Sequence, residues 1–197
     1  MKEPFFYRFI AKPIITVFAK LYFHPKVIGL ENIPKKGRLV LAGNHTNDMD
    51  CVVLVGIIPR RVLHFLAKDS LMQGFKRHIF KGMGIIPVNR SIHDSNALKN
   101  AINALEEDKT IAIFPEGTIN RTKDIIMPFK IGAVKMASET EAPIVPFIIT
   151  GDYKFRSKNL CIEFLEPITV TKKEDLTEDN ERLMNIVSKK LEEKRNQ

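Results

Sequence analysis

The sequence predicts an α/β domain, layered αβα around a mostly parallel or mixed sheet of about seven strands, with an N-terminal amphipathic helical segment in front of it. Three observations carry this. Short apolar runs punctuate the chain, several of them continuous, as in strands covered on both faces. Segments with helical spacing of apolar residues lie between them. With 197 residues, 44% of them hydrophobic, the chain is long enough for one sizeable core and short for two.

Taken in order, residues 1–23 place Phe6, Ile10, Ile14, Val17 and Leu21 on one helical arc, and Arg8, Lys12, Thr16 and Lys20 on the opposite one. Phe5 and Phe9 fall on the polar side, and Pro13 is expected to kink or split the helix. The charges interrupt the apolar run short of the roughly 20 residues a spanning helix needs. An interfacial anchor and a helix docked on the domain's own core both fit. Strands are expected at 27–28, 38–42, 62–67, 84–88, 110–114, 144–150 and 160–164, and helices at 49–58, 91–107, 129–140 and 179–193. The second of these helices carries Ala97, Ala101, Ala104 and Leu105 on one side and starts in the cap-rich SIHDSN. The organisation expected is an N-terminal interface segment at 1–25 and one catalytic-size domain at 26–197.

Lys and Arg number 31 against 23 Asp and Glu, a formal charge of +8, which favours a polyanionic partner: nucleic acid, an anionic membrane surface or a phosphorylated substrate. Cys51 and Cys161 are far apart, each in apolar company, and read as two buried free thiols.

Loops leaving the carboxyl ends of strands are where an α/β fold builds sites. Three such loops are dense in polar residues: GNHTNDMD at 43–50, PVNRS at 87–91 and PEGTINR at 115–121. In the first, His45 and Asp50 would stand about 140° apart on one helix and not meet. If Asn47 caps a helix, His45 stays in the loop and Asp50, as the third helical residue, can reach back to it. A dyad with His45 as base and Asp50 as its orienting acid, a plain capping pair, and a metal site of His45, Asp48 and Asp50 all remain open. In the second, Arg90 precedes a helix N-terminus and suits a phosphate, or is an ordinary surface arginine. In the third, Gly117 permits close backbone approach and Thr118 adds a hydroxyl. Glu116 suits a partner in Arg90 or a substrate hydroxyl, or is a turn acid. Arg121, Lys123 and Lys130 make the region cationic.

The blocks NHTNDMD at 44–50, GIIPVNR at 84–90, FPEGT at 114–118 and IVPF at 144–147 together resemble, in order and spacing, the glycerolipid acyltransferase family. VIGLENIP at 27–34 and PFKIGA at 128–133 are similar to it as well. The resemblance implies a general base His45 oriented by Asp50, and a glycerol-phosphate site involving Arg90, Glu116, Gly117, Thr118, Arg121 and Lys130. Val145 and Pro146 fall on the acyl-chain side. It implies no metal and no cofactor, with acyl-CoA or acyl-carrier protein as co-substrate. The activity implied is transfer of a fatty acyl group to the 2-hydroxyl of lysophosphatidic acid. The partners implied are a lysophospholipid and a membrane surface with anionic lipids, without nucleic acid, and the location is the cytoplasmic face of the cell membrane, peripheral or monotopic. The third block departs from the family pattern at Ile119 and Asn120, with Arg121 two positions later, which points to the acceptor as the variable feature. The alternatives are another lysolipid or acyl-alcohol acceptor, and a non-catalytic lipid-binding module. Cys51 beside the first block is expected in the core, not as an acyl carrier.

Overall fold

The computed structural model describes Phe5 and residues 7–59, 61–69, 85–88 and 95–196. Strands β1 (Lys26–Ile28), β2 (Leu39–Gly43), β3 (Leu63–Lys68), β4 (Ile86–Val88), β5 (Thr110–Ile113), β6 (Ile144–Thr150) and β7 (Cys161–Phe164) alternate with helices α1 (Lys12–Phe18), α2 (Asp50–Ile57), α3 (Ser95–Glu106), α4 (Gly132–Thr140) and α5 (Thr177–Arg195). Among the described residues the strands form one seven-stranded sheet in the order β1-β7-β6-β2-β5-β3-β4. Neighbours run parallel except β6 and β7, where Phe147 faces Phe164 and Thr150 faces Cys161. The sheet is therefore mixed, and each expected strand is present within a residue or two.

Alternation along the strands builds two cores. In β2, Val40 and Ala42 point to the side where α3, α4 and α5 pack, with Leu183, Val187 and Leu191 of α5 supplying one helical stripe. Leu39 and Leu41 point to the opposite side, with Phe147 and Ile149 of β6 and Val53, Leu54 and Ile57 of α2. Burial on both faces explains why the central strands read as continuous apolar runs. On the exposed edge of the α5 layer, Glu163 of β7 meets Lys190 at 2.9 Å and Lys194 at 3.1 Å. Although burial pushes its carboxyl up, these two ammonium groups hold it below the usual range.

The N-terminal segment corrects the expected arcs. Tyr7–Ala11, α1 and Ala19–Phe23 run on as one helical stretch, with wider π-type turns on either side of α1. Pro13 does not split it, because it falls in the first turn of α1, where a missing N–H is tolerated. The face docked on the domain is Tyr7, Ile15, Ala19 and Phe23. The close fit comes from Gly56 of α2, where a Cβ would lie 2.4 Å from the Cβ of Ala19. Lys12, from the expected polar arc, donates its ammonium N–H to the carbonyl of Arg61. The expected apolar arc, Ile10, Ile14, Val17 and Leu21, faces outward instead, Ile14 at 64% and Leu21 at 69% exposure. The segment thus has two apolar faces, one used by the fold and one not. Among the described residues no helix is long and apolar enough to cross a membrane.

Candidate active site

Strand β2 delivers the chain to the site through two residues with special constraints. At Gly43 a Cβ would meet the Phe147 carbonyl oxygen at 2.3 Å and its ring at 2.5 Å, so only glycine lets β2 and β6 close here. Asn44, buried, then continues the ladder with its side chain: its amide donates to the Ile149 carbonyl at 2.9 Å and accepts from the Ile149 N–H at 2.8 Å. This fixes where the next residue, His45, leaves the sheet.

His45 lies in the loop and Asp50 opens α2. The expected cap is not what the structure uses. Asn47 is not the N-cap; its Oδ1 accepts the N–H of Met49 at 3.0 Å in a local turn, and Met49 is the residue before the helix, without a side-chain cap. The helix starts two residues later than that cap would place it because Asp50 folds its carboxylate back over the loop. Oδ2 accepts from the backbone N–H of Thr46 at 2.7 Å and of Asn47 at 3.0 Å, and lies 2.8 Å from His45 Nδ1. Oδ1 accepts from the Thr46 hydroxyl at 3.0 Å and from the hydroxyl of Tyr153. A fully buried carboxylate with five donors is well solvated by the protein itself. It accepts the Nδ1 proton of His45, which leaves Nε2 with the lone pair. The His45 ring stacks on Phe114 at 4.1 Å, within 10° of parallel.

The third loop holds the first. Glu116 is buried, and both its oxygens are occupied by backbone donors, Oε1 by His45 N–H at 2.8 Å and Oε2 by Met127 N–H at 2.9 Å. Burial pushes its carboxyl above the usual range, and those two N–H groups pull it back. Through these two bonds Glu116 ties the histidine loop to the segment before α4; its expected partner Arg90 lies outside the described residues. Asn120 adds its N–H to the His45 carbonyl at 2.9 Å. Gly117 has φ +76°, and a Cβ there would meet Lys130 Nζ at 2.8 Å, so the lysine lies directly over the glycine backbone. Thr118 and Arg121 are exposed. Arg90 and the SIHD part of the expected cap lie outside the described residues.

His45 also lines a cavity of about 520 Å³, in the range typical of ligand sites. Its apolar wall includes Ile15, Val52, Val55, Phe65, Leu66 and Phe114, and Lys68, Lys130 and Gly117 border it. Val145 is buried in the core under α2 and Pro146 is buried within β6; neither lines this cavity. Cys51 does line it, and burial together with the neighbouring Asp50 charge pushes its thiol up to about 12. Among the described residues no group of three or more His, Cys, Asp or Glu is placed to hold a metal ion. Asn44, Phe114, Tyr153 and Lys68 were not foreseen as site residues; of these Asn44, inside the NHTND run, and Phe114, at the head of FPEGT, carried a local signal.

The acyltransferase family model matches residues 24–150, which contains the His45 loop, the Glu116 loop and all but one of the strands. The chain belongs to the acyltransferase family. Among its relatives are two named 1-acyl-sn-glycerol-3-phosphate acyltransferase. The one from Borreliella burgdorferi is 39% identical over 137 residues, covering 68% of this chain and 54% of the relative. The one from Bacillus subtilis is 34% identical over 147 residues, covering 74% of this chain and 71% of the relative. The chain thus spans about half the length of the first relative and seven tenths of the second. In fold this acyltransferase-family chain matches the crystal structure of the 1-acyl-sn-glycerophosphate (LPA) acyltransferase PlsC from Thermotoga maritima, with a TM-score of 0.75 at 24% identity, over 94% of this chain and 80% of that one.

Proposed function

We propose that the protein transfers a fatty acyl group from an acyl thioester, acyl-CoA or acyl-carrier protein, to the 2-hydroxyl of lysophosphatidic acid, giving phosphatidic acid. The observation that carries the proposal is the His45 ring, committed through Nδ1 to buried Asp50 at 2.8 Å and lining an apolar cavity. Nε2 takes the proton of the acceptor hydroxyl as its oxygen attacks the thioester carbonyl carbon. The C–O bond forms, the C–S bond breaks as the tetrahedral intermediate collapses, and the proton passes from the imidazolium to the departing thiolate. A base so placed contributes about 10²- to 10⁴-fold. Asp50 keeps the ring in the productive tautomer and offsets the charge it acquires. The reaction needs no nucleophile from the protein, and a thiol held near 12 leaves Cys51 protonated at neutral pH.

The aliphatic wall built by Ile15, Val52, Val55 and Leu66 suits the acyl chain. Lys68 and Lys130, with Arg90, Thr118 and Arg121, are assigned to the phosphates and glycerol of the substrates. The outward face of the N-terminal segment is assigned to a bilayer surface. Ile14, Val17, Phe18, Leu21 and Tyr22 form an apolar hollow with Phe155, itself 65% exposed. His24, Lys26, Arg156 and Lys158 border a second hollow just beside it, the arrangement expected of acyl contact flanked by cations at the level of lipid phosphates. A place on the cytoplasmic face of the membrane belongs to the same proposal; two unpaired cysteines suit a reducing compartment.

The test is thiol release by the purified chain with each donor and a panel of acceptors. Lysophosphatidate is expected to be used, and His45→Ala to abolish turnover with the fold retained. Strong preference for a monoacylglycerol lacking phosphate would refute the acceptor assignment. Co-sedimentation with anionic vesicles is expected to fall in Val17→Asp/Leu21→Asp; unchanged binding would refute the membrane face.

A further inference from the structure

The connection between β6 and β7, residues 151–160, is braced from within and pinned at both sides. Gly151 (φ +90°) leaves room for the Asn159 carbonyl, which a Cβ would approach to 2.1 Å. The Asn159 side-chain carbonyl accepts the Asp152 N–H at 3.2 Å and the Ser157 hydroxyl at 2.8 Å. On its outer side the loop holds the N-terminal segment: Arg156 N–H donates to the Tyr22 carbonyl at 2.6 Å, and Phe155 meets the Tyr22 ring edge-on at 5.4 Å. On its inner side it holds Asp50, through Tyr153.

Tyr153 has a divided environment. Its ring packs edge-on against Phe23 at 5.4 Å, and its hydroxyl donates to Asp50 Oδ1, 103 residues away in sequence. Burial first, then the Asp50 charge, raises its phenol well above the ordinary range, so it keeps its proton and donates it to the carboxylate. The division of labour on the carboxylate is uneven. The fixed backbone donors and His45 all use Oδ2, whereas Oδ1 has only hydroxyls, those of Thr46 and Tyr153. The two oxygens turn together about the Cβ–Cγ bond, so donors on Oδ1 also help to fix where Oδ2 lies, and of those two Tyr153 is the one held from outside the histidine loop.

We infer that Tyr153 is a positioning residue for the His45–Asp50 base, holding the carboxylate plane so that Oδ2 stays in line with Nδ1; this rests on the proposed role of His45 as general base. The N-terminal segment supports it through the Phe23 ring. Removing the hydroxyl leaves the carboxylate freer to turn, which misaligns the base without touching the cavity that binds substrate, so turnover falls while KM holds.

The experiment compares Tyr153→Phe and His45→Ala in the full chain, with acyl-CoA and lysophosphatidate, as kcat and KM beside a thermal melt. Tyr153→Phe keeps the ring against Phe23 and leaves Oδ1 the Thr46 hydroxyl, so it folds. Expected are a kcat about tenfold lower with KM and melting temperature little changed, and His45→Ala inactive. A wild-type kcat in Tyr153→Phe, with His45→Ala inactive, overturns this inference alone. A raised KM with unchanged kcat overturns it too, by assigning the hydroxyl to substrate. Full activity of His45→Ala overturns the base and this inference together.

Discussion

Asp50→Asn separates charge from geometry at the proposed base. The carbonyl oxygen of an asparagine placed at the Oδ2 position keeps the N–H donors of Thr46, Asn47 and His45, and its amide then points at Thr46 and Tyr153, whose hydroxyls rotate to accept. The hydrogen bonds are conserved in number, so the cost in stability is about 1 kcal/mol or less. What is lost is the negative charge beside a ring that becomes positive in the transition state. With Nδ1 and Oδ2 2.8 Å apart, the charge centres stand about 4 Å apart, worth about 4 kcal/mol at an effective dielectric of about 20. At about 1.36 kcal/mol per tenfold, kcat is expected to fall about 10³-fold. The assay is thiol release under saturating acyl-CoA and lysophosphatidate, run beside a thermal melt. A fall of only a few fold, with an unchanged melt, would show that Asp50 serves the loop and not the chemistry; a melt lowered in proportion would show that the loss is one of folding.

Other outcomes follow from the same contacts. Glu116→Gln replaces one acceptor by a donor that faces a backbone N–H, and is expected to cost about 1–3 kcal/mol in chemical denaturation and to lower kcat through the histidine loop. Gly117→Ala puts a side chain at φ +76° under Lys130; about 1–2 kcal/mol of stability is lost, and the KM for lysophosphatidate rises more than kcat falls. For Cys51, the folded thiol at about 12 against its ordinary 9.0 predicts slow maleimide labelling at pH 8 that quickens only at strongly alkaline pH. Because this folded pKa is raised, the associated stability is present below pH 9 and is lost as pH climbs from there toward 12. Cys51→Ala is expected to remain active, and loss of all turnover would reinstate an acyl-cysteine.

Strand positions were legible because burial on both sheet faces leaves an unbroken apolar run, as in Ile144–Thr150, whatever the order of the strands in space. The His45–Asp50 pair was legible from spacing plus the need for a bend, yet the bend itself was misread. Asn47 has good capping chemistry, but five donors converging on Asp50 outweigh one cap. The docked face of the N-terminal segment was not foreseen for a related reason: periodicity identifies an apolar stripe but not its partner, and Gly56 selects the stripe containing Ala19 because that one allows close approach. Tyr153 was invisible, since a hydrogen bond spanning 103 residues leaves no trace in local pattern; Phe114 stood at the head of FPEGT, but its stacking on His45 across two strand ends was not legible there.

Helix α2 joins two of these features. Asp50 is its first residue and Gly56 lies in its last turn, against the segment whose far side is assigned above to a bilayer. Six residues at 1.5 Å each set about 9 Å between them along a rigid rod. Under the proposed function the helix is thus a fixed spacer: base and docking face are tied to one rod, so the reacting group of a lipid has to travel to the base and the base cannot travel to the lipid.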